Sequence, residues 1–147
     1  MKKIKIGNNP YLLPMHMVIV GSSIGKRPNF MAVAWVSRVN AKPALMSIAI
    51  GRHATAQAIQ HTGEYSINIP PVDLVKETDL LGIVSGSDFD KSSLFEVFYG
   101  SLRKAPMIRQ CPVTMECKVV QAVELPVDVL FIGEVVEVWS EERFLSD

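Results

Sequence analysis

The segment from Asn29 to Ile50, NFMAVAWVSRVNAKPALMSIAI, constrains the fold more than any other part of the chain. It reads as two strands joined by a turn at Asn40-Ala41-Lys42-Pro43, where Pro43 sets its own φ and Asn40 tolerates turn geometry. The first arm, Phe30 to Val36, is rich in Val, Trp and Phe, and the second, Leu45 to Ile50, has Ser47 as its one polar residue. Arms this apolar suit strands buried on both faces, or on one face plus a partner or ligand. Gly51-Arg52-His53-Ala54-Thr55 follows at once, a turn with two potential cations and then a hydroxyl residue opening a helix. A hydrophobic sheet edge that runs into a basic helix start suits a ligand with an apolar body and an anionic tail.

The flanking segments place this stretch in a mostly β chain. Met15 to Val20 reads as a first strand, stopped by the segment Gly21 to Pro28. Thr55 to His61 reads as a short helix that stops at Gly63, and Tyr65 to Ile69 as a strand that Pro70-Pro71 ends. The spacing predicts a helix over Pro71 to Leu81, with Pro71 in its first turn. Gly82 to Asp88 is expected to be a loop, and Asp88-Phe89-Asp90-Lys91 to open a short helical or irregular piece. Ser101 to Pro112 reads as a loop with a brief extended segment. Met115 to Val123 and Val129 to Trp139 read as long strands, broken by Glu124-Leu125-Pro126.

That makes at least six strands and two or three short helices, with no repeating strand-helix-strand rhythm. The pattern predicts a mostly antiparallel barrel with helices inserted, rather than a doubly wound sheet. No repeat or linker divides the chain, so residues 1–147 are expected to form a single domain. After Trp139 the polar stretch Glu141 to Asp147 has no closing pattern. Either the barrel closes with the strands present, or the domain is shortened at its C-terminus.

With 48% hydrophobic and 20% charged residues the 147-residue chain is globular rather than disordered. Its formal net charge of zero supplies no global field to steer nucleic acid, and no run of interleaved basic and aromatic residues is present. No run is long and apolar enough to span a bilayer, and Met1-Lys2-Lys3-Ile4-Lys5 leads into no apolar signal region. A cytoplasmic protein, with neither a nucleic acid nor a membrane as partner, is the expectation. Cys111 and Cys117 match neither a C-x-x-C motif nor a zinc signature and read as buried core thiols.

Several motifs need weighing. Gly21-Ser22-Ser23-Ile24-Gly25 matches G-x-S-x-G after a strand, but Pro28 and a further strand follow where a nucleophile elbow requires a helix, so it reads as a turn. Gly82 to Ser87, GIVSGS, lacks the Gly-Lys-Ser/Thr end of a P-loop and reads as a flexible loop. His16, His53 and His61 share no helix face with another ligand type, so no metal site is expected. Arg52, His53 and Thr55 fit an anion site, because a helix start offers unpaired N–H groups and the positive end of the dipole, and arginine adds a bidentate fork. On spacing alone, an ordinary N-cap Thr beside a solvated Arg accounts for them as well. Lys91 by itself reads as a surface lysine.

Taken in order, these pieces resemble the flavin reductase-like family, most closely its flavoredoxin branch. The residues that carry the resemblance are Asn29 to Trp35, Asn40 to Pro43, Arg52 to Thr55, Ile59, Thr62 to Tyr65 with Asn68, Asp90-Lys91, and Phe131 to Val135. The resemblance implies an antiparallel, Greek-key split β-barrel that binds FMN, as a homodimer with the flavin near the subunit interface. It implies that Asn29, Phe30, Met31 and Ala32 with Trp35, Val36 and Ser37 line the flavin ring and ribityl chain. Arg52, His53, Ala54, Thr55 and Lys91 then correspond to the phosphate end. The implied function is electron transfer through bound FMN to or from a protein partner. The rival is an NAD(P)H:flavin oxidoreductase that supplies a partner monooxygenase, and a third reading is a non-catalytic flavin- or haem-binding barrel. The chain departs from the pattern in having Asp128 where the family often has a histidine. It also ends where family members usually continue.

Overall fold

The computed structural model of the chain describes residues 1–9, 13–85 and 89–145. In chain order the elements are β1 (Val18–Ile24), β2 (Arg27–Val33), β3 (Val36–Asn40), β4 (Leu45–Gly51), α1 (Ala54–Thr62), β5 (Glu64–Ile69), α2 (Val75–Ile83), β6 (Val97–Phe98), β7 (Met107–Ile108), β8 (Val113–Glu124) and β9 (Asp128–Ser140). Short 3-10 turns occupy Val72–Leu74, Lys91–Leu94 and Glu142–Phe144. Seven strands form one antiparallel sheet in the order β2-β1-β5-β8-β9-β4-β3, and β6 pairs with β7 apart from it. The expected mostly β, antiparallel architecture is present. The curled sheet stays open between β2 and the β3–β4 pair, which is what splits the barrel.

Two corrections concern the β strands at the N-terminal end. The apolar arm Phe30 to Val36 is not one strand: β2 ends at Val33, a corner follows at Ala34-Trp35, and β3 starts at Val36. Turn chemistry decides the pairing. The two residues Gly25-Lys26 close a tight β1–β2 hairpin with Ile24 opposite Arg27, and Gly25 takes φ +64 as such turns require. The second turn closes β3 on β4, with Asn40 Nδ2 donating to Pro43 O at 2.8 Å. Trp35 O accepts from Ala49 N at 3.0 Å and ties the corner to β4.

The second correction is that Gly21-Ser22-Ser23 lies inside β1, not in a turn. The carbonyl of Pro106 lies so close to Gly21 that a β-carbon there would collide with it. Both serines are buried, so the G-x-S-x-G match marks a close backbone approach rather than an exposed nucleophile. Both predicted helices are present: α1 is one residue longer at each end than expected, while α2 starts at Val75 rather than Pro71, after the 3-10 turn Val72–Leu74, and runs on to Ile83. The Gly82 to Asp88 loop and the Asp88 to Lys91 piece lie partly outside the described residues, as does the end of the chain.

β1 alternates between two cores, as a period of two demands. Val18 and Val20 face an inner core with Ile48, Ile50, Ile59, Tyr65, Ile67 and Phe131, while Ile19 faces an outer core with Phe30, Leu81, Phe95 and Ile108. α1 closes one end of the inner core with Ala56 and Ile59 and stops at Gly63, whose φ of +70 lets its N–H reach Ile59 O at 2.8 Å. Cys111 and Cys117 are free and buried, and burial pushes both thiols up to about 12.

The outer face of β1, β5 and β8 is polar, yet it is buried beneath the segment 99–108. Sheet side chains satisfy that segment's backbone. Glu116 accepts from Ser101 N (2.8 Å) and Leu102 N (2.9 Å), Glu64 from Lys104 N (2.7 Å), and Asn68 from Ile108 N (2.9 Å). Ser23 donates to Lys104 O at 3.1 Å, and Ser66 donates to Pro106 O. Burial pushes the Glu116 carboxyl up from the usual range, the Ser101 and Leu102 N–H groups oppose that shift, and nearby Glu137 adds to it. Among the described residues no helix is long and apolar enough to cross a membrane.

One contact crosses the inner core and tests it. The Tyr65 ring is fully buried, its hydroxyl donates to Met46 O at 3.0 Å, and it lies flat against Gly133 of β9. A β-carbon at Gly133 would sit 2.5 Å from that hydroxyl and 2.7 Å from the ring. Gly133→Ala therefore destabilises the protein by about 1–3 kcal/mol, the usual cost of overpacking, read as a lower midpoint in thermal unfolding followed by circular dichroism. An unchanged midpoint would mean that the ring can yield.

Candidate functional site

The turn after β4 and the start of α1 form the polar end of the site. Gly51 ends β4, and the His53 ring folds back over it; a β-carbon at Gly51 would lie 2.8 Å from His53 Nε2. His53 is the N-cap residue but its side chain caps nothing. The first helical bond is Gln57 N to His53 O at 3.2 Å. Among the described residues nothing accepts from the N–H groups of Ala54, Thr55 or Ala56. The helix start thus presents three unpaired donors and the positive end of its dipole.

A hydrogen bond keys this helix start to edge strand β2. Asn29 Nδ2 donates to Thr55 Oγ1 at 3.0 Å, and both residues are buried. The Thr55 hydroxyl accepts that bond, so its own proton remains available to donate. A second support comes from the 3-10 turn at Lys91. The Asp90 carboxylate caps it, accepting from Ser92 N at 3.0 Å and Ser92 Oγ at 2.6 Å; these bonds hold the Asp90 carboxyl below its usual range.

The Lys91 turn points its first side chain inward. Lys91 is 4% exposed, and its ammonium donates to Leu81 O near the C-terminus of α2 at 3.1 Å. It meets no carboxylate among the described residues. Burial pulls its pKa below the ordinary lysine value. An ammonium has three donors, and one carbonyl accepts from it here, so a buried positive charge stands with little compensation.

Lys91, Thr55, Ala54 and His53 converge on one cleft of about 220 Å³, which Met31 and the 81–85 segment complete. A second cleft of about 150 Å³ runs from Met31 along Ala32 and Trp35 to Ala49, Gly51 and Asp128. Each alone is smaller than the ~300–1,000 Å³ of ordinary small-molecule sites, but they meet at Met31. Taken together as one candidate groove, they are cationic and rich in N–H donors at one end and, apart from Asp128, apolar at the other. The apolar arm lies in the open seam of the sheet, beside edge strand β2.

The residues expected from the sequence divide accordingly. Met31, Ala32, Trp35, His53, Ala54, Thr55 and Lys91 line the groove. Asn29 supports it from beneath through Thr55. The Phe30 side chain is fully buried in the outer core, edge-on to Phe95 at 5.3 Å between ring centroids. Val36 and Ser37 line a different cleft, of about 370 Å³, with Met17 and Met46. Arg52 turns away: its guanidinium pairs with Glu124 at 2.9 Å and donates to Leu125 O at 3.0 Å, clamping the β8–β9 turn. The 81–85 segment reads in the sequence as a helix end and a flexible loop and not as part of a site, because nothing in its composition says that it lines a cleft with the start of α1. Lys91, which by itself reads as a surface lysine, is instead buried. Among the described residues no cluster of His, Cys, Asp or Glu could hold a metal ion.

Comparison with known proteins agrees with this architecture. The family model described as the flavin reductase like domain matches residues 11–146. The crystal structure of a flavoredoxin from Methanosarcina acetivorans superposes with a TM-score of 0.96 at 44% identity, over 99% of this chain and 79% of that one. The flavoredoxin of Desulfovibrio vulgaris (Miyazaki F) superposes with a TM-score of 0.91 at 30% identity, over 100% of this chain and 80% of that one. An uncharacterized protein of Archaeoglobus fulgidus is 31% identical over 137 residues, which is 91% of this chain and 77% of that protein. The chain belongs to the flavin reductase-like family, with flavoredoxins among its near structural relatives.

Proposed function

We propose that the chain is an FMN-binding redox protein of flavoredoxin type, which passes electrons through the bound flavin between a donor and an acceptor. The observation that carries this reading is the buried Lys91 ammonium, which has no counter-ion among the described residues and sits at the end of a groove whose other arm is largely apolar. A flavin mononucleotide has the complementary form, a flat ring at one end and a phosphate dianion at the other. The donor set fits: Lys91, the N–H groups of Ala54 to Ala56 and the Thr55 hydroxyl suit the phosphate. Met31, Ala32 and Trp35 suit the ring, with the free edge of β2 able to offer backbone donors and acceptors to it. Bound FMN would supply the redox chemistry, and the protein would hold, orient and partly shield it.

Arg52 has no part in this reading. Its charge is already matched by Glu124, and it lies outside the groove. Val36 and Ser37 fit better as part of a subunit contact. Their cleft opens beside Trp35, which is 57% exposed, and beside exposed Met17 and Ile69. Apolar surface of this kind at the mouth of the seam supports a homodimer that covers it. Light scattering is then expected to give twice the chain mass; a monomer that still binds FMN would overturn the dimer and leave the flavin reading intact.

The role is tested by turnover. Protein carrying FMN, mixed with NADH, is followed at about 340 nm with and without excess free flavin, a wavelength set by the nicotinamide itself. A carrier keeps its flavin and gives little catalytic consumption of NADH. Sustained turnover that scales with free flavin would favour the NAD(P)H:flavin oxidoreductase reading. Flavin binding without electron uptake from any donor would favour a non-catalytic barrel.

The anion end yields a sharper expectation. A charge-assisted hydrogen bond contributes about 1.5–3 kcal/mol against roughly 0.5–1.5 for a neutral one. Lys91→Ala is therefore expected to weaken FMN about tenfold or more and Thr55→Ala to weaken it less. Riboflavin, without the phosphate, is nearly indifferent to both substitutions. The loss at Lys91 shrinks only slightly in high salt, because a buried charge is screened much less than an exposed one. Because burial lowers the Lys91 pKa, the ammonium is lost as pH rises through a value below the ordinary lysine range. FMN affinity falls along that alkaline limb, and Lys91→Ala flattens it. Flavin fluorescence-quenching titrations of both variants with both flavins measure all of this. Equal weakening of FMN and riboflavin would remove Lys91 from the phosphate.

A further inference from the structure

The apolar arm of the candidate groove carries a single charge. Of the residues that line the cleft from Met31 to Gly51, Asp128 alone is ionisable. It opens β9 opposite Gly51 of β4, and residues paired in this way direct their side chains to the same face of a sheet. Gly51 itself offers no side chain to pair with the carboxylate. The backbone around Asp128 is held firmly. Its carbonyl accepts from Leu125 N at 2.9 Å, and Arg52, which follows β4, donates to Leu125 O at 3.0 Å.

The neighbouring charged groups leave this carboxylate alone. Arg52 pairs with Glu124 at 2.9 Å. His53, whose ring folds over Gly51, forms no ion pair among the described residues. Lys91 lines the other cleft. Among the described residues the Asp128 side chain has neither a hydrogen bond nor an ion pair. Asp128 is half-buried, and nothing in the packing around it rewards a negative charge there.

Resting on the flavin reading above, we propose that Asp128 tunes the bound flavin: its carboxylate opposes the negative charge that the ring gains on reduction, so the protein holds the reduced form more loosely than it would without that charge. Two electrons from the donor and one proton from solvent leave the flavin ring one negative charge above its oxidised form near neutral pH. At an effective dielectric constant of about 20, unit charges up to about 12 Å apart interact strongly enough to move an equilibrium about tenfold. The cleft that Asp128 lines is only about 150 Å³, so a ring seated in it lies within that reach. Weaker holding of the reduced form is, by linkage, a lower reduction potential. The loaded protein is then a stronger reductant toward its acceptor, as an electron carrier requires.

The midpoint potential of the flavin in the loaded protein tests this, measured without oxygen by stepwise reduction with dithionite against a reference dye. Asp128→Asn and Asp128→Ser remove the charge, and each is expected to favour the reduced form about tenfold, a rise of about 30 mV for a two-electron couple. Asp128→Glu keeps the charge and is expected to keep the parent potential. Loading with riboflavin in place of FMN is expected to give the same shifts, since the effect belongs to the ring and not to the phosphate. Unchanged potentials in the two neutral variants, or an equal rise in Asp128→Glu, would overturn the proposal and leave the flavin reading intact. If the unaltered chain binds neither flavin, that reading falls and this proposal falls with it.

Discussion

One apolar run shared between two hairpins governs this structure. The run from Asn29 to Ile50 could pair with itself throughout, but two short turns pull its halves apart. Gly25-Lys26 delivers β2 to β1, and the turn after Asn40 delivers β3 to β4. The chain breaks between them at Ala34-Trp35, where the Trp35 carbonyl still holds β4 through Ala49 N. Because β2 and β3 pair in opposite directions around the sheet, they become its two edges. The seam between them cannot close, and the apolar arm of the candidate groove is that seam.

Holding the seam open needs firm support on the sheet's other side. There a segment with little regular structure covers β1, β5 and β8, and its backbone groups find partners in Ser23, Glu64, Ser66, Asn68 and Glu116. Unpaired backbone groups in that position would each cost more than a hydrogen bond contributes. The polar outer face of the sheet is thus as necessary as the apolar inner one. Glu116 shows the balance most clearly: burial raises its pKa, while two backbone N–H groups favour the ionised form.

The electrostatics of the two candidate cations separate them. Arg52 is about half exposed and has Glu124 beside it, so its charge is both hydrated and paired. Lys91 is buried with one carbonyl acceptor. A group in the second condition gains far more from an arriving anion, since the attraction is less screened and the desolvation is already in place. Depth and pairing, rather than proximity in sequence to the helix start, make Lys91 the stronger candidate for the anion contact proposed above. Asn29 contributes differently, by fixing the Thr55 hydroxyl and with it the position of α1 against β2.

Much of this was legible in the sequence. Val, Ile and Phe runs, proline and glycine stops and the Thr55 to Gly63 pattern are local signals, and local signals sufficed for most strands and both helices, while leaving the helix start open between an anion site and an ordinary N-cap. The family resemblance added Lys91 and Trp35 as candidate site residues. The tertiary structure decided what depends on pairing and on depth. Whether Phe30 to Val36 made one strand or two rested on competition between distant turns. Whether Gly21 to Ser23 was turn or strand rested on the approach of Pro106, 85 residues away from Gly21. The burial of Lys91, the diversion of Arg52 to Glu124 and the unpaired hydroxyl of Thr114 all arise where segments remote in sequence meet. Residue type and spacing cannot show which charge finds a counter-ion, because that partner is chosen only when the sheet curls.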